Sequence, residues 1–165
     1  MTVHAAFWLL PYPPSGAADR KPVFYMVTTA GGASLNAQFS PNGKWVAYSS
    51  SESGDQEIYV QSFPRPDERV KVSNNGGNFV RWRTDGKELF YRATDGRLMA
   101  VPVRDSGHGL EFDTPAALGV TVSLVGGRFY SYDVAADGRI LALVPERSEE
   151  APLTILVNWQ AGLKK

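Results

Sequence analysis

The stretch Gln38–Phe63, QFSPNGKWVAYSSSESGDQEIYVQSF, decides the fold. Ser40-Pro41-Asn42-Gly43 reads as a tight turn, since proline presets φ and glycine takes positive φ without steric cost. Trp45–Tyr48 and Ile58–Phe63 are rich in aromatic and β-branched residues, which suit a pleated, largely buried surface. The unit then recurs. Arg81-Trp82-Arg83-Thr84-Asp85-Gly86-Lys87 leads into Glu88–Tyr91 and Leu98–Val103. Asp133-Val134-Ala135-Ala136-Asp137-Gly138-Arg139 leads into Ile140–Val144 and Thr154–Trp159.

Outward from these copies, each unit opens on a glycine pair. Gly31 to Gly76 spans 45 residues and Gly76 to Gly126 spans 50. The longer interval is assigned to Arg104–Asp113, read as an extended surface loop. Expected strands are about Leu35–Phe39, Trp45–Ser49, Glu57–Phe63 and Arg69–Val72, then Phe79–Arg83, Glu88–Ala93, Arg97–Val103 and a weaker one near Leu118–Val122. The third unit supplies Phe129–Val134, Ile140–Val144 and Leu153–Trp159. Before the first unit, Phe7–Tyr12 matches the repeat's second apolar run, with Phe7 on Ile58 and Trp8 on Tyr59. Pro22–Thr28 gives another strand. No segment sustains a 3.6-residue apolar period.

Short strands with a repeat near 45 residues are the pattern of β-propeller blades, four antiparallel strands each. The expectation is an all-β chain, a single partial propeller over 1–165: a blade remnant at 7–29, blades at 35–73 and 78–122, and an incomplete blade at 128–160. About three blades would form an open arc, with self-association through its outer faces. A blade has two apolar faces and must stack on neighbours. Phe39, Trp82 and Val134 share one matched position expected between blades, as do Tyr48, Tyr91 and Leu143, and Ile58, Leu98 and Ile155.

Composition narrows the function. Apolar residues make up 43% and charged residues 21%, ordinary for a globular domain; 16 glycines and 11 prolines fall between apolar runs and mark turns. With 17 basic and 17 acidic residues, no basic stripe supplies phosphate affinity, which argues against a nucleic-acid partner. The absence of cysteine removes disulfides and thiolate chemistry. Ala5–Leu10 is too short to span a membrane and lacks the basic flank of a secretory signal.

Catalysis finds little to work with. The histidines, His4 and His108, stand apart in an N-terminal tail and a long loop, and no Gly-x-Ser-x-Gly occurs. No catalytic residue, metal site or cofactor is therefore assigned. Asp85, Asp95 and Asp137 each precede glycine and are read as turn formers ahead of paired carboxylates or calcium ligands. Asn74–Asn78 is read as an interblade connection ahead of a binding loop. Arg81, Arg83 and Lys87 are read as a solvated turn ahead of an anion site. Gln38, Arg81 and Asp133 immediately precede the matched apolar position, so alternation turns them to the opposite face. As polar residues on innermost strands they are the ligand-binding candidates near a central channel. Hydrogen bonding within or between blades is the competing role.

The motifs resemble the TolB-like, WD-repeat-like β-propeller family of bacteria. Phe39-Ser40-Pro41-Asn42-Gly43-Lys44 with Glu57-Ile58-Tyr59-Val60 is similar to its blade signature, with Asn42 in place of aspartate; the other two copies are looser. Leu153–Trp159 with its tail resembles the C-terminus of propellers attached to bacterial serine/threonine protein kinases. No kinase motif occurs in the chain itself. The resemblance implies a non-catalytic module for protein interaction or ligand sensing, the C-terminal part of a larger protein, on the periplasmic or extracellular side. The alternative it implies is an accessory propeller of a prolyl-oligopeptidase-like peptidase or other propeller enzyme.

Overall fold

The alternation of the apolar runs builds a stack of sheets. In a computed structural model of the chain, the described residues are 3–10, 21–30, 36–124 and 131–145. They form strands and turns: β1 (Val3–Leu9), β2 (Val23–Ala30), β3 (Ala37–Phe39), β4 (Trp45–Ser53), β5 (Asp55–Ser62), β6 (Arg69–Lys71), β7 (Asn78–Trp82), β8 (Glu88–Arg92), β9 (Arg97–Asp105), β10 (Leu110–Phe112), β11 (Ala116–Thr121), β12 (Tyr132–Val134) and β13 (Ile140–Ala142). Every strand pair is antiparallel. β1–β2 and β12–β13 are two-stranded sheets, and β3-β4-β5-β6 is a four-stranded meander. β7-β8-β9 continues to β10 on one half of the last strand's free edge and β11 on the other. The arrangement is consistent with a partial β-propeller.

Because side chains alternate across a strand, each complete sheet feeds two cores. On β4, Val46 and Tyr48 pack with Tyr25, Met26 and Tyr59, while Trp45 and Ala47 point the other way. That second core joins Trp45, Ile58 and Val60 of one sheet to Trp82, Leu89 and Tyr91 of the next. On β8 the intervening Phe90 turns to a third core with Leu98, Tyr132 and the partly buried Ile140. Three joints thus link the four sheets in chain order. Burial of a large apolar side chain contributes about 1.5–3 kcal/mol, so the joints hold the stack together.

The connection between the two complete sheets is pinned by a buried acid. Glu57, 3% exposed, accepts the Gly76 N–H at 3.0 Å, the Ser73 hydroxyl and the Lys71 ammonium at 3.2 Å. Gly77 is required by space: a Cβ there would lie 2.8 Å from Tyr91 and 2.9 Å from Ile58. The pairs Gly31-Gly32 and Gly126-Gly127, and the expected strand Leu153–Trp159 with its matched Ile155, fall outside the described residues.

Several expectations are corrected. Arg104–Asp113 is a β-hairpin rather than a loop: β9 runs on through Asp105 and returns as β10, and Ser106 N–H donates to the Gly109 carbonyl at 3.1 Å. His4 lies in strand β1, not in a tail. Phe39 is 47% exposed although Trp82 is 4% exposed. The sheet facing Phe39 has two described strands whose Tyr25 and Met26 pack with Val46, Tyr48 and Tyr59 of β4 and β5, while Phe39 stands beside an open groove and meets the Phe63 ring, centroids 5.0 Å apart.

Leu143, expected between sheets, is also 47% exposed. The cause is the turn. Ser40 pairs with Trp45 and Arg83 with Glu88 across the first two turns, whereas Ala135 pairs with Arg139, one residue sooner. A one-residue shift exchanges the faces of the following strand. Ile140 and Ala142 therefore face the core, and Leu141 and Leu143 face outward. Ala135–Arg139 instead shares its closure with Ala93–Arg97, the turn between β8 and β9.

Candidate functional site

The turn side chains are self-contained. Asn42 Oδ1 accepts the Lys44 N–H at 3.0 Å, Asp85 that of Lys87 at 3.0 Å, Asp95 that of Arg97 at 3.0 Å and Asp137 that of Arg139 at 3.1 Å. An arginine folds back on each aspartate: Arg97 on Asp95 at 2.7 Å, Arg139 on Asp137 at 2.7 Å, and Arg83 on Asp85 at 2.5 Å and Glu88 at 2.9 Å. The Arg83 side chain, then the Lys87 N–H, hold Asp85 well below the usual carboxylate range. The Arg97 N–H and side chain lower Asp95 likewise. These acids cap their own turns, and Arg83 is occupied by two carboxylates.

The run Asn74–Asn78 is committed as a connection. Gly77 N–H donates to the Gln56 carbonyl at 2.7 Å and Thr94 Oγ1 to the Asn75 carbonyl at 3.1 Å. His108 stands exposed at the tip of the β9–β10 hairpin. Among the described residues, no group of three or more His, Cys, Asp or Glu side chains could hold a metal ion, and no helix is long and apolar enough to cross a membrane.

The three inner-strand candidates lie on β3, β7 and β12 of successive sheets and bridge between them. Gln38 Oε1 accepts the backbone N–H of Trp82 at 2.8 Å. Arg81 Nε lies 3.6 Å from Asp133 Oδ1. Arg81 and Asp133 are thus brought together, while Gln38 is engaged elsewhere. Asp133 is the most open, its side chain 76% exposed against 22% for Arg81.

A cleft that no single repeat contains lies between the β3–β4 turn and the β7–β8 turn, with a volume of about 700 Å³. Trp45, Trp82, Val103 and Leu110 give it apolar walls; Lys87, Arg104, Asp85 and Asp105 stand among its polar lining residues. Arg104 is tied to Asp113 at 2.5 Å, and Lys87 makes no ion pair with a described residue. Sequence reasoning missed this cleft because its tryptophans hold unmatched repeat positions. Trp45 follows one turn and Trp82 precedes the next; they meet only when the sheets stack.

No protein-family model matches the chain, and no curated protein matches it. Among solved structures, TolB from Acinetobacter baumannii is similar at 17% identity over 83% of this chain, with a TM-score of 0.37. The chain spans 39% of that protein's length, and the fold described above rests on its own strand topology.

Proposed function

We propose that this chain is a non-catalytic β-propeller module for protein interaction or ligand sensing. In this reading its sheets are blades of a partial propeller, a single domain belonging to a larger bacterial protein such as a kinase with a propeller sensor domain. One observation carries it: the aspartates of the repeat turns are spent capping their own turns, while a cleft walled by Trp45 and Trp82 opens between sheets. Aromatic walls beside Lys87, which makes no ion pair with a described residue, suit a ligand with an apolar body and a hydrogen-bond acceptor such as a carboxylate, which Lys87 would meet and Asp85 and Asp105 would hold to one side. Asp133, open on the inner strand, is a second contact point near the channel.

The test has two arms. Purified chain is incubated with chromogenic peptide, ester and glycoside substrates, and is titrated with a peptide library while tryptophan emission is followed. The expected result is no turnover, with a saturable emission change for some acidic-apolar peptides that Lys87→Glu removes. Sustained hydrolysis abolished by a single Ser, Asp or Glu substitution would overturn the non-catalytic reading. A flat emission response to every peptide would remove the cleft.

A further inference from the structure

The β9–β10 hairpin is a wall shared by two cavities. Val103, Asp105 and Leu110 line the cleft between Trp45 and Trp82. Asp105 and His108 line a second cavity of about 660 Å³, together with Phe63 and Glu68 from the turn between β5 and β6. Trp45 and Asp105 belong to both linings, so the cavities are compartments of one groove. Every lining residue lies between Ser40 and Leu110, in the two complete sheets and well inside the described chain.

The two compartments differ in charge. In the first, Asp85 is held by Arg83 and Arg104 by Asp113, which leaves Lys87 as a cation without an ion pair among the described residues. The second sets the carboxylates of Asp105 and Glu68 against Lys44 and His108. Glu68 is exposed and makes no ion pair with a described residue. Its Oε2 reaches the hairpin tip, 2.9 Å from where a Cβ on Gly109 would stand.

We propose that an extended peptide segment of a partner protein lies along this groove in a fixed charge order. An acidic residue meets Lys87, an apolar residue sits among Trp45, Trp82 and Leu110, and a basic residue lies by Asp105 and Glu68. The inference rests on the reading of the first compartment as a ligand site, and adds the class of partner and its direction. Each compartment alone is of a size that holds a small ligand, so a groove made of both suits a chain that threads them. Asp105 at the junction repels the acidic residue toward Lys87 and attracts the basic one, which sets the register.

The probes are dye-labelled, tryptophan-free peptides, capped at both ends: Glu-Ser-Leu, then one to three serines, then Lys. They are titrated into the full chain and read by fluorescence anisotropy. At least one spacing is expected to bind. Replacing its lysine with norleucine should weaken binding about two- to fivefold, the worth of one exposed charge pair. Glu68→Lys should weaken the parent peptide and favour the version that carries Glu in place of that lysine. Glu68→Gln, the milder change should the lysine variant unfold, should lose the preference without reversing it. Binding that Lys87→Glu removes, but that neither the norleucine peptide nor the Glu68 variants alter, would overturn the proposal and leave the cleft as a ligand site. A capped Glu-Leu dipeptide that binds as tightly as the parent would do the same, because it fills one compartment. No binding at any spacing would also overturn it; tryptophan emission that still answers to other acidic-apolar peptides would then keep the cleft, and a flat emission response would remove both.

Discussion

The side-chain oxygen of Gln38 lies 2.8 Å from the backbone nitrogen of Trp82, 44 residues further along the chain and on the next sheet. The bond turns a polar residue on an innermost strand into a strut across a joint. A part-buried backbone N–H that loses its acceptor costs about 1–3 kcal/mol. Gln38→Ala is therefore expected to lower unfolding free energy by about that amount. Gln38→Glu, which keeps an acceptor at the same reach, should cost less. Denaturant titration of the two variants checks the order.

Trp82 separates size from polarity. It is 4% exposed, and its Nε1 is buried with no hydrogen-bond partner among the described residues. Trp82→Ala opens a cavity and is expected to cost about 3–5 kcal/mol. Trp82→Phe removes the unsatisfied N–H while keeping most of the ring, and should cost less than about 1.5 kcal/mol. A Phe variant as unstable as the Ala variant in urea melts would mean that the indole N–H has a partner.

Gly77 measures how tightly the connection is held. Any Cβ meets Tyr91 and Ile58 below 3.0 Å, and both side chains are buried in the central core. Gly77→Ala should destabilise by about 1–3 kcal/mol, the usual cost of overpacking. Gly43→Ala offers a control without a clash, since nothing lies within 4 Å there, although its φ of 68° carries strain of its own. Thermal melts showing no loss for Gly77→Ala would mean that the loop can lift off the sheet.

The third turn predicts opposite outcomes at adjacent residues. Ile140 packs into the core beside Tyr132, and Leu141 is 79% exposed. Ile140→Ala should lower stability by about 1 kcal/mol or more, while Leu141→Ala stays within about 0.5 kcal/mol of wild type in the monomer. The reverse order in chemical denaturation at high dilution would restore the matched register of the other two turns.

Three of the seven tyrosines should titrate late. Burial pushes Tyr25, Tyr48 and Tyr91 up to about 12, with nearby Glu52 adding to the effect at Tyr48 and Glu57 at Tyr91. In each the neutral hydroxyl is favoured by the fold. A folded-state value above the unfolded one means that the stabilisation is complete below about pH 10 and is lost as pH rises toward 12. Absorbance near 295 nm should show a late-ionising group of tyrosines, and stability should begin to fall above about pH 10. Seven tyrosines titrating together while the chain is still folded would contradict the burial of these three.

The repeat of turns and apolar runs determined the strand content, the antiparallel order and the separation into stacked sheets, because turn chemistry and two-residue alternation are local properties that each segment carries by itself. The same locality told that Asp85, Asp95 and Asp137 serve turns, since each needs only the N–H two residues ahead. Which matched positions are buried was decided by how sheets pack at Phe39 and by the closure of a turn at Leu143, neither of which the repeat pattern showed. Phe39 and Trp82 are equivalent in the repeat, yet their neighbouring sheets differ in the number of described strands; Leu143 and Tyr91 are equivalent, yet a turn closed one residue sooner reverses the strand. The cleft between Trp45 and Trp82 and the strut from Gln38 to Trp82 belong to the same category. Both join residues of different repeats, and the distance between repeats is set by how whole sheets pack, which no segment encodes alone.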